Sequence, residues 1–351
     1  MNRGTLLIRA DANAHIGAGH VMRCLALAQA WQDAGGDAVF AMAEAAPPLE
    51  HRLLEENFRI VRVSAPPGSR DDLEDTRALI AAKPPSWTVL DGYRFDAYYQ
   101  SEIKRWCRLL VMDDNGQLER YSADVVVNQN VHAGETLYAG RVTPETRLLL
   151  GPQYAILRNE FAAYRDWTRE VAEVGSRVLV TMGGSDPSDF APRILPWLAK
   201  MQGSELWARV VVGGGAGNAH AVKEAAANSA GRIEVLVDAR NMAELMAWAD
   251  LAIAGAGSTC WEMCLLGLPS IVVEVAENQQ PIARQLEALG AAVNAGPPAE
   301  IDCRSIAQRA EQLLSSAGER FAMSGAARKL VDGWGRERVL EAMQMGDVPC
   351  D

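Results

Sequence analysis

Short apolar runs alternate with longer amphipathic stretches along almost the whole chain. The runs 5–9, 38–42, 59–63, 88–90, 109–112, 125–127 and 147–150 predict strands in the first half. The runs 177–181, 208–212, 233–236, 251–254 and 270–273 predict strands in the second. Val, Leu and Ile fill them with little polar alternation, as in strands covered by helices on both faces. Helical patterns fall between them, over 21–34, 48–56, 71–82, 97–106, 187–201, 219–228, 242–249, 260–266, 281–289 and 305–315. The first of these runs into Gly35-Gly36, a natural C-terminal stop. Such alternation implies mainly parallel sheets joined by right-handed crossovers.

A seam interrupts the alternation. Residues 159–174 are charged and rich in Trp and Tyr, and a fresh strand–helix unit opens near Val178. The expected organisation is an N-terminal doubly wound domain over 1–157, a second over 175–318 and a terminal helical region over 319–351. A chain of 351 residues with 49% hydrophobic and 23% charged positions suits a soluble protein of that size and domain count.

Charge and cysteine usage narrow the class. The net charge of −11 and pI near 5.1 argue against nucleic acid or an anionic membrane as partner. A small anionic substrate remains compatible, because Arg9, Arg23, Arg94 and Arg158 are placed to form a local positive site. The six cysteines are far apart and form no Cys-x-x-Cys pair, which points to reduced thiols and no structural zinc. The first residues lack a signal-peptide core, and no apolar run reaches a membrane-spanning length. A cytoplasmic location is expected.

The candidate chemistry begins where the first strand ends. Arg9-Ala10-Asp11-Ala12-Asn13-Ala14-His15-Ile16-Gly17-Ala18-Gly19-His20 is a polar, glycine-bearing turn that delivers a histidine to a helix start. Ligands of α/β proteins sit at such strand–helix junctions. A histidine there can move protons near neutral pH, although an idle capping histidine fits the same pattern. Asp91-Gly92-Tyr93 marks another strand end, where Tyr93 can stack on a sugar or simply pack.

The second half carries two glycine clusters before helices, Met182-Gly183-Gly184-Ser185-Asp186-Pro187 and Gly255-Ala256-Gly257-Ser258-Thr259. Glycine lets backbone N–H groups approach an anion, and Ser258 or Thr259 can cap the helix or bind a phosphate oxygen. Glu262 lies one turn on from Ser258, spaced to accept both hydroxyls of a ribose. No Walker loop occurs, and Gly213-Gly214-Gly215 reads as a plain turn. Glu277-Asn278-Gln279 follows a strand and offers amides for sugar hydroxyls or N-acyl groups.

Taken in order, these motifs resemble one family. The residues that carry the resemblance are Arg9-Ala10-Asp11, Ile16-Gly17-Ala18-Gly19-His20-Val21-Met22-Arg23, Asp91-Gly92-Tyr93, Asp113-Asp114, Asn128-Gln129-Asn130 and Gly151–Arg158. They continue through Met182-Gly183-Gly184-Ser185-Asp186-Pro187, Gly257-Ser258-Thr259-Cys260-Trp261-Glu262 and Glu277-Asn278-Gln279. The family is the UDP-sugar hydrolase of pseudaminic acid biosynthesis, often called PseG, which shares the GT-B architecture of MurG-type glycosyltransferases. The resemblance implies two Rossmann-like domains facing a cleft, with the C-terminal helix packing back on the first. It implies removal of UDP from a UDP-linked 2,4-diacetamido-2,4,6-trideoxy-L-altrose by water, with inversion and with neither metal nor cofactor.

In that reading His20 is the general base and Asp11 orients the loop or the histidine. Asn13, Gly17, Gly19, Arg23, Tyr93, Asn278 and Gln279 fall on the substrate side, and Gly184, Ser185, Gly257, Ser258, Thr259 and Glu262 on the nucleotide side. His15 is a second candidate base. The expected partner is the UDP-sugar alone, with the chain a monomer. Three alternatives share the pattern: a MurG-like inverting glycosyltransferase, a binding module without turnover, and a hydrolase of a related UDP-diamino sugar.

Overall fold

The structure is a computed structural model and describes residues 3–13, 17–184, 186–201, 206–227 and 232–344. These divide into two compact units: 3–13, 20–159 and 334–344 form the first, and 17–19 and 160–333 the second. Among the described residues no helix is long and apolar enough to cross a membrane.

The first unit is built on a seven-stranded parallel sheet: β1 (Thr5–Ala10), β2 (Asp37–Met42), β3 (Arg59–Arg62), β4 (Trp87–Asp91), β5 (Arg108–Met112), β6 (Val125–Asn128) and β7 (Arg147–Leu150). The strand order is β3-β2-β1-β4-β5-β6-β7. Helices α1 (Gly19–Asp33), α2 (Pro47–Glu55), α3 (Arg70–Ala82) and α4 (Ala97–Lys104) connect the early strands. The order reverses between β1 and β4, and their carboxyl ends therefore flank the open crevice where doubly wound sheets bind ligands. Helix α1 stops as its sequence predicts. Gly35 takes φ 85°, and the Gly36 N–H returns to the Trp31 carbonyl.

The second unit holds a six-stranded parallel sheet: β8 (Arg177–Thr181), β9 (Trp207–Val212), β10 (Ile233–Val237), β11 (Leu251–Gly255), β12 (Ser270–Val273) and β13 (Val293–Asn294). Its order, β10-β9-β8-β11-β12-β13, places the switch point between β8 and β11. The helices are α5 (Phe190–Leu198), α6 (Ala219–Ala227), α7 (Met242–Trp248), α8 (Thr259–Leu265), α9 (Gln280–Ala288), α10 (Cys303–Ser315) and α11 (Ala317–Arg328). A final helix, α12 (Gly335–Gln344), returns to the first unit and packs on β6 and on the Pro152–Tyr154 turn. The terminal stretch from residue 319 is thus shared between the units.

Two differences from the sequence pattern have physical causes. Helix α5 begins at Phe190 and not near Pro187. The Asp186 carboxylate accepts the Phe190 and Ala191 N–H groups at 2.9 and 2.8 Å, and Asp189 takes a left-handed φ of 50°, so the helix is capped from upstream. The segment 159–174, read as a seam, is bound to the second unit by arginines. Arg169 donates to the carbonyls of Met246 and Leu266 at 2.7 and 3.0 Å, and Arg328 donates to the Arg165 carbonyl at 3.0 Å. These side chains satisfy carbonyls at helix ends, groups with no partner inside the helix.

Candidate functional site

His20 stands at the start of α1, beyond the carboxyl end of β1, and is 7% exposed. Sheet order makes β4 and β5 the next strands along, and their ends bring Asp91 and Asp114 to the histidine. His20 Nε2 lies 3.6 Å from Asp114 Oδ2, and Nδ1 lies 3.9 Å from Asp91 Oδ1. The Tyr93 ring meets the imidazole edge-on, with centroids 5.0 Å apart, and its hydroxyl donates to Asp114 Oδ2 at 2.9 Å. Tyr93 is 40% exposed, so this side of the cluster reaches solvent.

Arg23 lies between the two carboxylates. Its Nε and Nη2 donate to Asp91 at 2.7 Å each, and Nη1 and Nη2 donate to Asp114 at 2.6 and 3.2 Å. Asn130 Nδ2 donates to Asp114 Oδ1 at 3.1 Å, and the His132 ring nitrogen Nε2 lies 3.1 Å from the Asp114 carbonyl. Burial by itself raises a carboxyl. The Arg23 guanidinium and His20 together outweigh that and hold Asp114 well below the usual carboxylate range. Burial and the neighbouring Asp91 push the Cys24 thiol up.

This geometry bears on two expectations. Arg23 is buried and committed to Asp91 and Asp114, so it braces the site and does not form a positive patch for substrate. Arg9 is likewise neutralised, by Asp72 at 2.9 and 3.0 Å and by Asp11 at 2.6 Å. For Asp11 the expected task is to orient the loop or the histidine. Its other oxygen accepts the Ala43 and Glu44 N–H groups at 2.8 and 2.9 Å, so it ties the end of β1 to the loop after β2 and is not bonded to His20. Asn13 hydrogen-bonds Glu44. Gly17 takes φ 76°, and Gly19 opens α1. His15 lies outside the described residues.

In the second unit the glycine turns gather at the β8/β11 switch point. Gly183 takes φ 85°. The end of β9 lies so close to this turn that a Cβ on Gly213 would sit 2.5 Å from the Gly183 carbonyl oxygen and 2.6 Å from that of Gly184. After β11, Gly257 and Ser258 lead into α8, and Ser258 makes no side-chain capping bond. Gln279 reaches the same turn: its Oε1 accepts the Val275 N–H at 3.1 Å, and its Nε2 lies 3.4 Å from where a Gly257 Cβ would be. Thr259 and Glu262 are half-buried on α8, and Asn278 is exposed. Ser185 lies outside the described residues.

Asp91, Asp114 and Asn130 are the residues for which the sequence suggested no task. A signal for them existed. Once β1, β4 and β5 are ordered as neighbours, polar residues at the ends of β4 and β5 must face the turn after β1. Among the described residues no group of three or more His, Cys, Asp or Glu is arranged to hold a metal ion.

The family comparison falls on the second unit. Residues 178–333 match the glycosyltransferase family 28 C-terminal domain. The family 28 match is accompanied by a fold likeness over the whole chain. The crystal structure of Acinetobacter baumannii MurG superposes with a TM-score of 0.64 at 15% identity, covering 98% of this chain and 99% of that one. The fold is therefore GT-B.

Two curated relatives extend the comparison. Uncharacterized protein MJ1062 of Methanocaldococcus jannaschii is 26% identical over 78% of this chain, an alignment that spans only 56% of the relative. The UDP-2,4-diacetamido-2,4,6-trideoxy-beta-L-altropyranose hydrolase of Campylobacter jejuni is 24% identical, over 81% of this chain and 97% of that protein.

Proposed function

We propose that this chain is a UDP-sugar enzyme that hydrolyses a UDP-linked 2,4-diacetamido-2,4,6-trideoxy-L-altrose to the free sugar and UDP. The observation that carries the reading is His20, held at the β1 switch point between Asp91 and Asp114, with Tyr93 at its solvent side. The similarity to the Campylobacter hydrolase along most of both chains supports the choice of reaction.

In this mechanism a water oxygen attacks the anomeric carbon as its O–H bond breaks, and the proton passes to the His20 imidazole. The bond from that carbon to the diphosphate breaks, its electron pair leaves with UDP, and the configuration inverts. UDP is already a good leaving group, so the protein needs only to hold the diphosphate and activate one water. Backbone N–H groups at the Gly183-Gly184 and Gly257-Ser258 turns, with the Ser185, Ser258 and Thr259 hydroxyls, serve the diphosphate. Glu262 serves the ribose. Tyr93, Asn278 and Gln279 serve the sugar. A positioned imidazole base contributes about 10²–10⁴-fold.

The family 28 match and the MurG likeness favour a second reading, transfer of the sugar to an acceptor hydroxyl. One assay separates the two. UDP-sugars are supplied without acceptor, and UDP release and the anomer formed are followed. Acceptor-free release from a diacetamido-trideoxy donor, reduced by two or more orders of magnitude in His20→Ala with UDP affinity unchanged, is the expected result. Release only when an acceptor hydroxyl is added would sink the hydrolase reading in favour of transfer.

A further inference from the structure

The cluster around His20 is unbalanced in charge. Two carboxylates, Asp91 and Asp114, share the single guanidinium of Arg23. Arg23 makes paired, charge-assisted hydrogen bonds to each of them. Counted as side chains, the trio sets two acids against one base, and it does so where water is largely excluded. Such a surplus is costly unless a proton or cation joins it.

Among the described residues, the groups around the imidazole come from several elements. Arg23 and Cys24 lie on α1, Asp91 and Tyr93 at and beyond the end of β4, and Asp114 beyond β5. Asn130 and His132, beyond β6, hold the Asp114 side chain and its carbonyl. Among the described residues, carboxylates stand opposite the two ring nitrogens, Asp91 at Nδ1 and Asp114 at Nε2. Asp91 is wholly buried and further from the ring, with both oxygens already taken by Arg23. Asp114 is the nearer, and its Oδ2 faces His20 and accepts from the Tyr93 hydroxyl and, more distantly, from Arg23 Nη2.

We propose that Asp114 is a positioning residue for His20: it orients the imidazole and supplies the surplus negative charge that stabilises the ring once it has taken a proton. The inference rests on the reading of His20 as the base. The acid–base step is balanced without a further reactant: the proton that leaves water stays on the imidazole, and Asp114 remains an anion throughout. Tyr93 competes for the same carboxylate oxygen and so limits this stabilisation.

The test reads protonation directly. The full chain is labelled with ¹⁵N-histidine, a His20→Gln variant assigns the His20 signal, and its titration is followed in the wild type, Asp114→Asn and Tyr93→Phe. Removing an opposite charge at this range moves such a titration by about one pH unit or more. Asp114→Asn is expected to lower the His20 midpoint by about that much, and to cut kcat by about 10- to 100-fold with KM little changed. Tyr93→Phe keeps the ring, removes the hydroxyl's hydrogen bond to Asp114 Oδ2 and is expected to raise the midpoint. Should Asp114→Asn not fold, the exposed Tyr93 position still decides. An unmoved His20 titration in Tyr93→Phe, or in a folded Asp114→Asn, overturns the proposal. A wild type that releases no UDP overturns the hydrolase reading and leaves the titration as the judge of Asp114.

Discussion

A buried carboxylate stays ionised only while its partners outweigh the loss of water. Asp114 illustrates the balance, since burial raises it and Arg23 with His20 brings it well below its ordinary range. The sign of the resulting pH dependence follows. A depressed folded value contributes stability that is fully present above the unfolded carboxylate value of about 3.9, and loses it as pH falls through the lower folded value. Asp114→Asn should therefore be less stable than the wild type by about 3 kcal/mol at pH 7. The gap should narrow as pH falls below about 4, as read from urea midpoints between pH 7 and 3. A gap independent of pH would mean that Asp114 is not ionised in the folded protein. The same residues show why a charge is hard to read from sequence. Arg23 looked available to a substrate because nothing local reveals its partners, which lie 68 and 91 positions away.

At the level of elements, the strands were legible wherever an apolar run was long enough to show its lack of alternation. Leu251–Gly255 is such a run, buried throughout. Strand β13, Val293–Asn294, has two residues and therefore no period to detect. The glycine turns were legible as turns, but the close approach between them was not. It arises because β9 lies beside β8 in the sheet, which sets Gly213 against the carbonyls of Gly183 and Gly184. Those carbonyls are backbone and cannot swing aside. Gly213→Ala is expected to destabilise the second unit by about 1–3 kcal/mol, the range for an overpacked site. Gly217→Ala, where a Cβ meets nothing within 4 Å, is the control and should be nearly neutral. Equal denaturant midpoints for the two variants would show that the turn after β8 yields easily.

Across the whole molecule, the alternation of strand and helix fixes the class of sheet, and the order of strands fixes which loops can meet. His20, Asp91 and Asp114 converge because β1, β4 and β5 are neighbours, an arrangement that no local window of sequence contains. The path of the chain end is of the same kind. Helix α12 follows the second unit in sequence but buries Val339, Leu340, Ala342 and Met343 with the first. Arg147, at the start of β7, donates to the Ala342 carbonyl at 2.6 Å and fixes the helix there. Met343 is 1% exposed, and truncating a buried Met to Ala costs about 2–5 kcal/mol. If α12 is an integral part of the first unit, Met343→Ala must lower the free energy of opening for that unit's sheet. Native-state hydrogen exchange reads this strand by strand. The amides of β6 and β7 should exchange faster by the full cost of the cavity, while those of β8 and β11 keep their wild-type rates. Faster exchange in β8 and β11, with β6 and β7 unchanged, would assign the terminal helix to the second unit instead.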